Sequence, residues 1–252
     1  MTLTSLNRWK ASALHLAISA AIGVSVVALM LALWYPQHYF AAMGGDTLIM
    51  LLIGVDVVIG PLITLIIFDP KKKHLRFDLA VIALLQLTAL VYGCSVMFKA
   101  RPVFNVFVVD RFEVIAANAV DEESLQKAKP PFNTLSLTGP KIASAREPDD
   151  PKRMSDIVIS AADGGVDLAN LPDLFVPYED VKARAAQKAK PLAELARRQP
   201  QDAPVIKSFV SGSGRTEDAI GFLPMKARNV DMAVVVDKKT GDIVGIVPVN
   251  PW

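Results

Sequence analysis

The hydrophobic pattern divides this chain into two parts. Three apolar runs fill the first hundred positions, at about residues 11–34, 47–68 and 77–98, and the remaining residues have the pattern of an ordinary soluble domain. Each run reaches the roughly 20 residues that an α-helix needs to cross the hydrocarbon core of a bilayer. The pattern therefore predicts a membrane domain, residues 1–100, with three transmembrane helices.

The first run predicts a retained anchor. Its apolar stretch exceeds the roughly 7–15 residues of a signal-peptide core, and no cleavage site of the A-x-A type ends it. We therefore expect this segment to stay in the mature protein as a membrane helix.

Basic residues in the short loops predict the orientation. Arg8 and Lys10 precede the first run, and a Lys- and Arg-rich loop, residues 71–76, separates the second run from the third. The segment 35–46 contains no Lys or Arg. Because basic loops stay in the cytoplasm, we expect a multi-pass inner-membrane protein with a cytoplasmic N-terminus and a periplasmic C-terminal domain, residues 101–252.

The C-terminal part predicts an α+β domain with an antiparallel sheet. Apolar residues on both faces of 103–116 indicate a central strand. Asp121 opens an acidic stretch typical of a helix N-terminus. Two Val- and Ile-rich stretches flank a turn that contains Gly241, which is typical of a β-hairpin.

The positions of histidine and cysteine exclude several functions. His15, His38, His74 and Cys94 all lie in the first hundred residues, so the C-terminal domain has neither residue type. That excludes Cys–His and Ser–His–Asp catalysis and the usual zinc sites there. We predict that the protein is not an enzyme and has no cofactor or metal site. The net charge of +2 gives no electrostatic case for nucleic acid.

Asp56 is the acidic residue deep inside the second run. A carboxylate at the bilayer centre costs about 2.5–3.5 kcal/mol on insertion scales, so this side chain should face protein. Gln86 and Thr88 share its depth, whereas His15 lies about 12 Å from that level along its helix and is expected to be a poor partner. Asp56 can thus form a structural hydrogen bond with Gln86 or Thr88, face a groove for another transmembrane helix, or belong to a proton or ion pathway.

Small residues and a proline surround Asp56 in the sequence. Pro61 removes a backbone donor and kinks a helix, while Gly54 and Gly60 allow a neighbouring helix to approach closely. Packing within the protein and docking of a partner helix both explain these residues.

The motifs, in their order and spacing, resemble the type IV pilin accessory proteins of the TfpX/TfpZ group. The resemblance runs over most of the chain and is strongest from Gly54 to Phe112. The residues that carry it are Gly54, Asp56, Gly60, Pro61, Thr64, Lys72, Lys73, Asp78, Gln86, Tyr92, Gly93, Arg101, Pro102, Asp110, Phe112, Asp231, Met232, Pro251 and Trp252.

The resemblance implies an inner-membrane protein of a Gram-negative bacterium that stabilises or presents its cognate type IV pilin for pilus assembly. In this hypothesis the spans dock the pilin helix within the lipid bilayer and the outer domain contacts the pilin head; the oligomeric state stays open. The alternative is a membrane-tethered extracytoplasmic sensor that acts through a partner. The candidate partner-binding residues are Gly54, Asp56, Gly60, Pro61, Gln86 and Thr88.

Overall fold

The computed structural model describes residues 7–252, except for the side chains of Leu48, Leu51 and Leu52. The chain forms two compact units. The helical unit comprises the described chain up to Trp34 together with Gly45–Lys99. The sheet unit comprises Tyr35–Gly44 together with Ala100–Trp252.

The helices and strands follow one another along the chain as follows. The α-helices are α1 (Arg8–Leu33), α2 (Tyr39–Ala42), α3 (Gly45–Ile53), α4 (Gly60–Ile67), α5 (Leu75–Ala100), α6 (Glu122–Lys127), α7 (Pro151–Ala162), α8 (Lys182–Lys188), α9 (Leu192–Arg198) and α10 (Ala203–Ser213). The strands are β1 (Pro102–Val108), β2 (Arg111–Ala116), β3 (Lys141–Ala145), β4 (Phe175–Val176), β5 (Lys190–Pro191), β6 (Ile220–Lys226), β7 (Met232–Asp237) and β8 (Ile243–Val247).

Two helices within residues 7–252 are long and apolar enough to cross a membrane, namely α1 and α5. Each has 26 residues and is therefore about 39 Å long. Most of their side chains face away from the protein, as expected for helices that present an apolar surface to lipid. This finding suggests that the chain is anchored in a membrane.

The prediction of three transmembrane helices is wrong, because the middle run does not form one long α-helix. It consists of α3, a π-helical turn at Gly54–Ile59, and α4. The Gly60 amide donates to the Val55 carbonyl, one residue further back than in an α-helix. Pro61 follows and has no N–H to donate, so the regular hydrogen-bond ladder breaks where the proline enters.

The sheet unit is an α+β domain, as predicted, but its sheet is mixed. The strand order is β4-β3-β1-β2-β6-β7-β8, with β5 also paired to β6. The β1–β3 and β2–β6 pairs are parallel and the others are antiparallel, so the prediction of an antiparallel sheet is wrong. Parallel neighbours need long crossover connections, and the irregular stretches after β2 provide them.

Local turn chemistry accounts for the other outcomes in this unit. The predicted strand 103–116 divides into β1 and β2, which form a hairpin around Val109 and Asp110. The predicted helix start at Asp121 is confirmed, since its side chain accepts from the Ser124 amide. The predicted C-terminal hairpin is confirmed as β7 and β8, and Gly241 in its turn has a φ of 76°.

Two apolar clusters lie against the sheet. One packs α7 and neighbouring loops on β1 and β3, with Phe104 in contact with Phe132 and Phe175. The other packs α9 and α10 on β6, β7 and β8. The parallel β2–β6 pair therefore joins two halves of the domain, each with its own helical cover.

The segment Tyr35–Gly44 is part of the sheet unit although it precedes most of the helical unit in the chain. Tyr39 is buried, and the buried amide of Asn105 donates to its hydroxyl at 3.3 Å. The Asn229 amide donates to the Ala42 carbonyl at 2.8 Å. Burial raises the pKa of Tyr39 to about 12, which indicates a dry site for its hydroxyl.

We expect Tyr39→Phe to destabilise the sheet unit by about 1–3 kcal/mol, since it leaves the buried Asn105 amide without this acceptor. Urea unfolding of the full-length protein in detergent, followed by tryptophan fluorescence, measures the change. Tyr92→Phe is the control, because Tyr92 is 72% exposed. Equal unfolding midpoints for the two variants would show that the Tyr39 hydroxyl contributes nothing.

Candidate functional site in the helical unit

A polar cluster connects α1, α4 and α5 inside the apolar helical unit. His15 Nδ1 lies 2.7 Å from Thr64 Oγ1, and His15 Nε2 lies 2.7 Å from Gln86 Oε1. Gln86 Nε2 donates to the Asp56 carbonyl at 3.0 Å, and Ser12 Oγ donates to the Pro61 carbonyl at 2.9 Å. Side chains from three helical segments thus meet over one break in the middle segment.

The Gln86 contacts determine how protons are arranged in the cluster. Its amide nitrogen donates to Asp56, so its oxygen accepts, and His15 Nε2 must carry the hydrogen. In a neutral imidazole the other ring nitrogen is then an acceptor, and the Thr64 hydroxyl donates to it. Both ring nitrogens of His15 therefore have a hydrogen-bond partner inside the helical unit.

Pro61 is the reason that Gln86 finds an acceptor at this depth. The Gly60 amide is used by Val55, so it no longer serves the Asp56 carbonyl. In π-helical geometry the next donor for that carbonyl would be residue 61, which is proline. An unpaired carbonyl in an apolar layer is costly, and the Gln86 amide satisfies it.

Gly60 gives Gln86 the space to reach this carbonyl. A Cβ atom built on Gly60 would overlap the Gln86 amide group. A Cβ on Gly54 would meet nothing within 4 Å. The two glycines, which look equivalent in the sequence, therefore differ. Gly60 leaves the space that the Gln86 side chain occupies, whereas Gly54 faces open space.

The Asp56 carboxyl group does not form the predicted structural hydrogen bond. Its Oδ1 is buried and has no hydrogen-bond partner within the described residues. Gln86 reaches the Asp56 backbone instead, and Thr88 Oγ1 donates to the Leu84 carbonyl of its own helix at 2.8 Å. Asp56 lines a cavity of about 170 Å³ together with His15.

The structure therefore brings four of the predicted site residues together, namely Asp56, Gly60, Pro61 and Gln86. Gly54 and Thr88 take no part in the contacts among these four residues. His15, which we expected to be a poor partner for Asp56, bonds Thr64 and Gln86 and shares a cavity with Asp56, but no hydrogen bond joins it to the Asp56 carboxyl group within residues 7–252.

An apolar groove runs along the middle segment and α5 on the other side of Gly60. It has a volume of about 420 Å³ and includes Ile63, Val81 and Gln86 in its lining. Ile66 and Phe77, at 73% and 68% exposure, are among the exposed apolar side chains of these two helices. A groove of this kind accommodates an apolar helix or lipid chains.

No group of three or more His, Cys, Asp or Glu side chains within residues 7–252 is placed to hold a metal ion.

We expect Gly60→Ala to displace Gln86 and lower the free energy of unfolding by about 1–3 kcal/mol, because its Cβ overlaps the amide. Gly54→Ala is the matched control and should change stability little. Thermal unfolding of the full-length protein in detergent measures both. In a Gln86→Ala background the same Gly60→Ala change should cost less, since no amide group remains to clash with the new Cβ; strict additivity would contradict the proposed contact.

Comparison with known proteins identifies the family. The family model for the fimbrial assembly protein FimB matches residues 4–44. Two fimbrial assembly proteins of Dichelobacter nodosus, of serogroups I and E1, are each 30% identical over 91% of this chain and 90% of their own length. A third, of serogroups C1 and C2, is 33% identical over 47% of this chain and 92% of its own length.

No solved structure matches this chain. The similarity of sequence nevertheless extends over nearly the full length of two relatives, and their common description supports a role in pilus assembly. The chain therefore belongs to the family of fimbrial assembly proteins, and the predicted resemblance to the type IV pilin accessory family is confirmed.

Proposed function

We propose that this protein binds a type IV pilin in the inner membrane and holds it ready for pilus assembly. The observation that carries the proposal is the Asp56 carboxyl group, which is half-buried among apolar helices and has no hydrogen-bond partner for Oδ1 within the described residues. A partner that supplies a donor or a positive charge there gains the interaction that the free protein lacks.

The energetics favour a partner over a purely structural role. A charged carboxylate near the bilayer centre costs about 2.5–3.5 kcal/mol. In this fold the Gln86 amide donates to the backbone carbonyl of Asp56 and not to its carboxyl group. A pilin that awaits assembly has one apolar helix in the membrane and a globular head outside. Its charged N-terminal amine is a suitable partner for Asp56.

The groove beside Gly60 supports the same proposal. Its lining is almost entirely apolar, and Gln86 lies on both the groove and the polar cluster. A partner helix in the groove would bury the exposed side chains of Phe77 and Leu85, which both line it. In lipid this gain comes from van der Waals packing between the helices.

The action we propose is binding without catalysis. Residues 101–252 contain no His or Cys, and both ring nitrogens of His15 in the polar cluster already have hydrogen-bond partners. Protection, extraction and delivery of pilin are all compatible with such a holding site.

The proposed orientation has a cytoplasmic N-terminus and a periplasmic sheet unit. Arg8 and Lys10 lie at the start of α1, and α1 leads at its C-terminal end into Tyr35–Gly44, which belongs to the sheet unit and contains no Lys or Arg. The basic residues favour the start of α1 as its cytoplasmic end and the sheet unit as periplasmic.

We expect the tagged full-length protein, purified from native membranes in mild detergent, to retain the cognate pilin. Asp56→Leu should reduce the co-purified pilin at least fivefold and lower piliation, because the partner's donor loses its acceptor. Thr88→Ala is the matched control, since Thr88 bonds only its own helix. Quantitative mass spectrometry against other abundant membrane proteins measures the change.

The outcomes separate the competing functions. Pilin at background levels beside a different enriched membrane protein would overturn the proposal in favour of a sensor that acts through a partner. Pilin retained equally by wild type and Asp56→Leu would keep the function and remove Asp56 from the site.

For the orientation, alkaline phosphatase fused after Trp252 should be active in intact cells, because this enzyme folds only in the periplasm. Green fluorescent protein fused at the same position should not fluoresce. An inactive phosphatase together with a fluorescent fusion would contradict the proposed orientation.

A further inference from the structure

Two loops of the sheet unit carry apolar side chains that the core does not use. Leu135 packs against one of the core clusters, whereas Leu137, two residues further along, is 61% exposed. Val230, in the loop after β6, is 45% exposed. Single exposed apolar residues are common on soluble domains. What distinguishes these two is that both loops contact Tyr35–Gly44, the segment that follows α1.

The loop that carries Leu137 is fixed in place. Arg101 Nε donates to the Ser136 carbonyl at 2.9 Å. Gly139 has a φ of 74°, and a Cβ atom built on it would lie 2.8 Å from Cγ of Pro36. The backbone of this loop therefore packs directly on the segment that follows α1, and Leu137 lies between the two contacts.

The loop that carries Val230 is fixed against the same segment. The amides of Asn229 and Val230 both donate to the Ala42 carbonyl, at 2.8 and 3.3 Å. Burial raises the pKa of Tyr35, and the positive charge of Arg228 opposes that shift, so Arg228 lies near the Tyr35 side chain. The loop thus reaches the beginning of the segment as well as its end.

The covalent chain limits the distance between these contacts and the end of α1. Pro36 is three residues beyond Leu33, the last residue of α1, so at most about 11 Å separates the two. A helix of 26 residues exceeds the roughly 30 Å of a hydrocarbon core and therefore reaches the headgroup layer. Trp34 follows directly and belongs to a residue type enriched in that layer. A loop packed on Pro36 is therefore within reach of the lipid headgroups at the end of α1.

We propose that Leu137 and Val230 insert into the lipid headgroup layer at the end of α1, so that their two loops hold the sheet unit against the membrane surface. Apolar side chains at the boundary between headgroups and acyl chains are stabilised by burial there, at depths of about 5–10 Å. The proposed occupant is lipid, since the chain itself keeps the loops close to the end of α1. The proposal rests on the membrane anchoring by α1 that the proposed function also needs, and not on pilin binding.

Fluorescent labels on single cysteines test this contact. Cys94→Ala removes the native thiol, and Leu137→Cys or Val230→Cys is added to carry a nitrobenzoxadiazole fluorophore. The full-length protein is reconstituted in phosphatidylcholine vesicles, with or without phosphatidylcholine that carries a nitroxide near its headgroup. This lipid has no net charge, so the attraction of basic residues to anionic headgroups plays no part. Thermal unfolding midpoints equal to that of Cys94→Ala show that the variants are folded.

Two further positions provide matched controls of similar exposure. Leu29→Cys places the label on α1 itself, where it reports insertion into the bilayer. Val109→Cys places it on an exposed apolar residue in the turn at the other end of β1, about 23 Å along the strand from Pro102. Cysteine suits the φ of 55° at Val109 at least as well as valine, because it is not branched at Cβ.

We expect the nitroxide lipid to quench roughly half or more of the fluorescence at positions 137, 230 and 29, and to leave that at 109 almost unchanged, because only the first three lie within the interfacial depth. Quenching at 29 without quenching at 137 and 230 would overturn the proposal. Equal quenching at 109 would also overturn it, since the sheet unit would then touch lipid without using these loops.

An unquenched label at only one loop would remove that loop from the contact. An unquenched label at 29 would show that α1 is outside the bilayer, which would overturn this proposal together with the proposed membrane site for pilin. The vesicles contain no pilin, and its co-purification is measured separately, so failure of the lipid contact and failure of pilin binding are distinguishable.

Discussion

The helical unit depends on one missing hydrogen bond donor. Pro61 has no N–H, and the π-helical turn before it directs the Gly60 amide to Val55. The Asp56 carbonyl is left without a donor in its own segment, and Gln86 supplies one from α5. His15 and Thr64 then complete the hydrogen bonds of Gln86, which ties three helical segments together. Without the proline this network would have no acceptor to assemble around.

The sheet unit includes a short segment, Tyr35–Gly44, that the sequence analysis assigned to the membrane domain. The prediction drew one boundary near residue 100, because hydropathy changes there. The structure places Tyr35–Gly44 in the sheet unit, with Tyr39 bonded to Asn105 and Ala42 bonded to Asn229. These contacts join a segment from the first hundred residues to β1 and to the chain after β6.

Local patterns predicted what local interactions decide. The Asp121 helix start and the hairpin around Gly241 depend on nearby residues and were predicted correctly. The parallel pairings of β1 and β2 depend on residues far apart in the chain, and nothing in their own pattern specifies direction. In the helical unit, the prediction of three spans came from hydropathy, which measures apolar content. Hydropathy does not show whether the backbone stays α-helical through Gly60 and Pro61.

The polar residues of the helical unit divide into those that stabilise the fold and one that it leaves incomplete. Ser12, His15, Thr64 and Gln86 all have hydrogen-bond partners, whereas Oδ1 of the Asp56 carboxyl group has none within residues 7–252. Leucine at this position would keep the carbonyl that Gln86 needs and avoid the cost of burying a carboxyl group. The hydrogen bonds of the fold therefore do not explain the Asp56 side chain, which is why the proposed pilin interaction is tested at this residue.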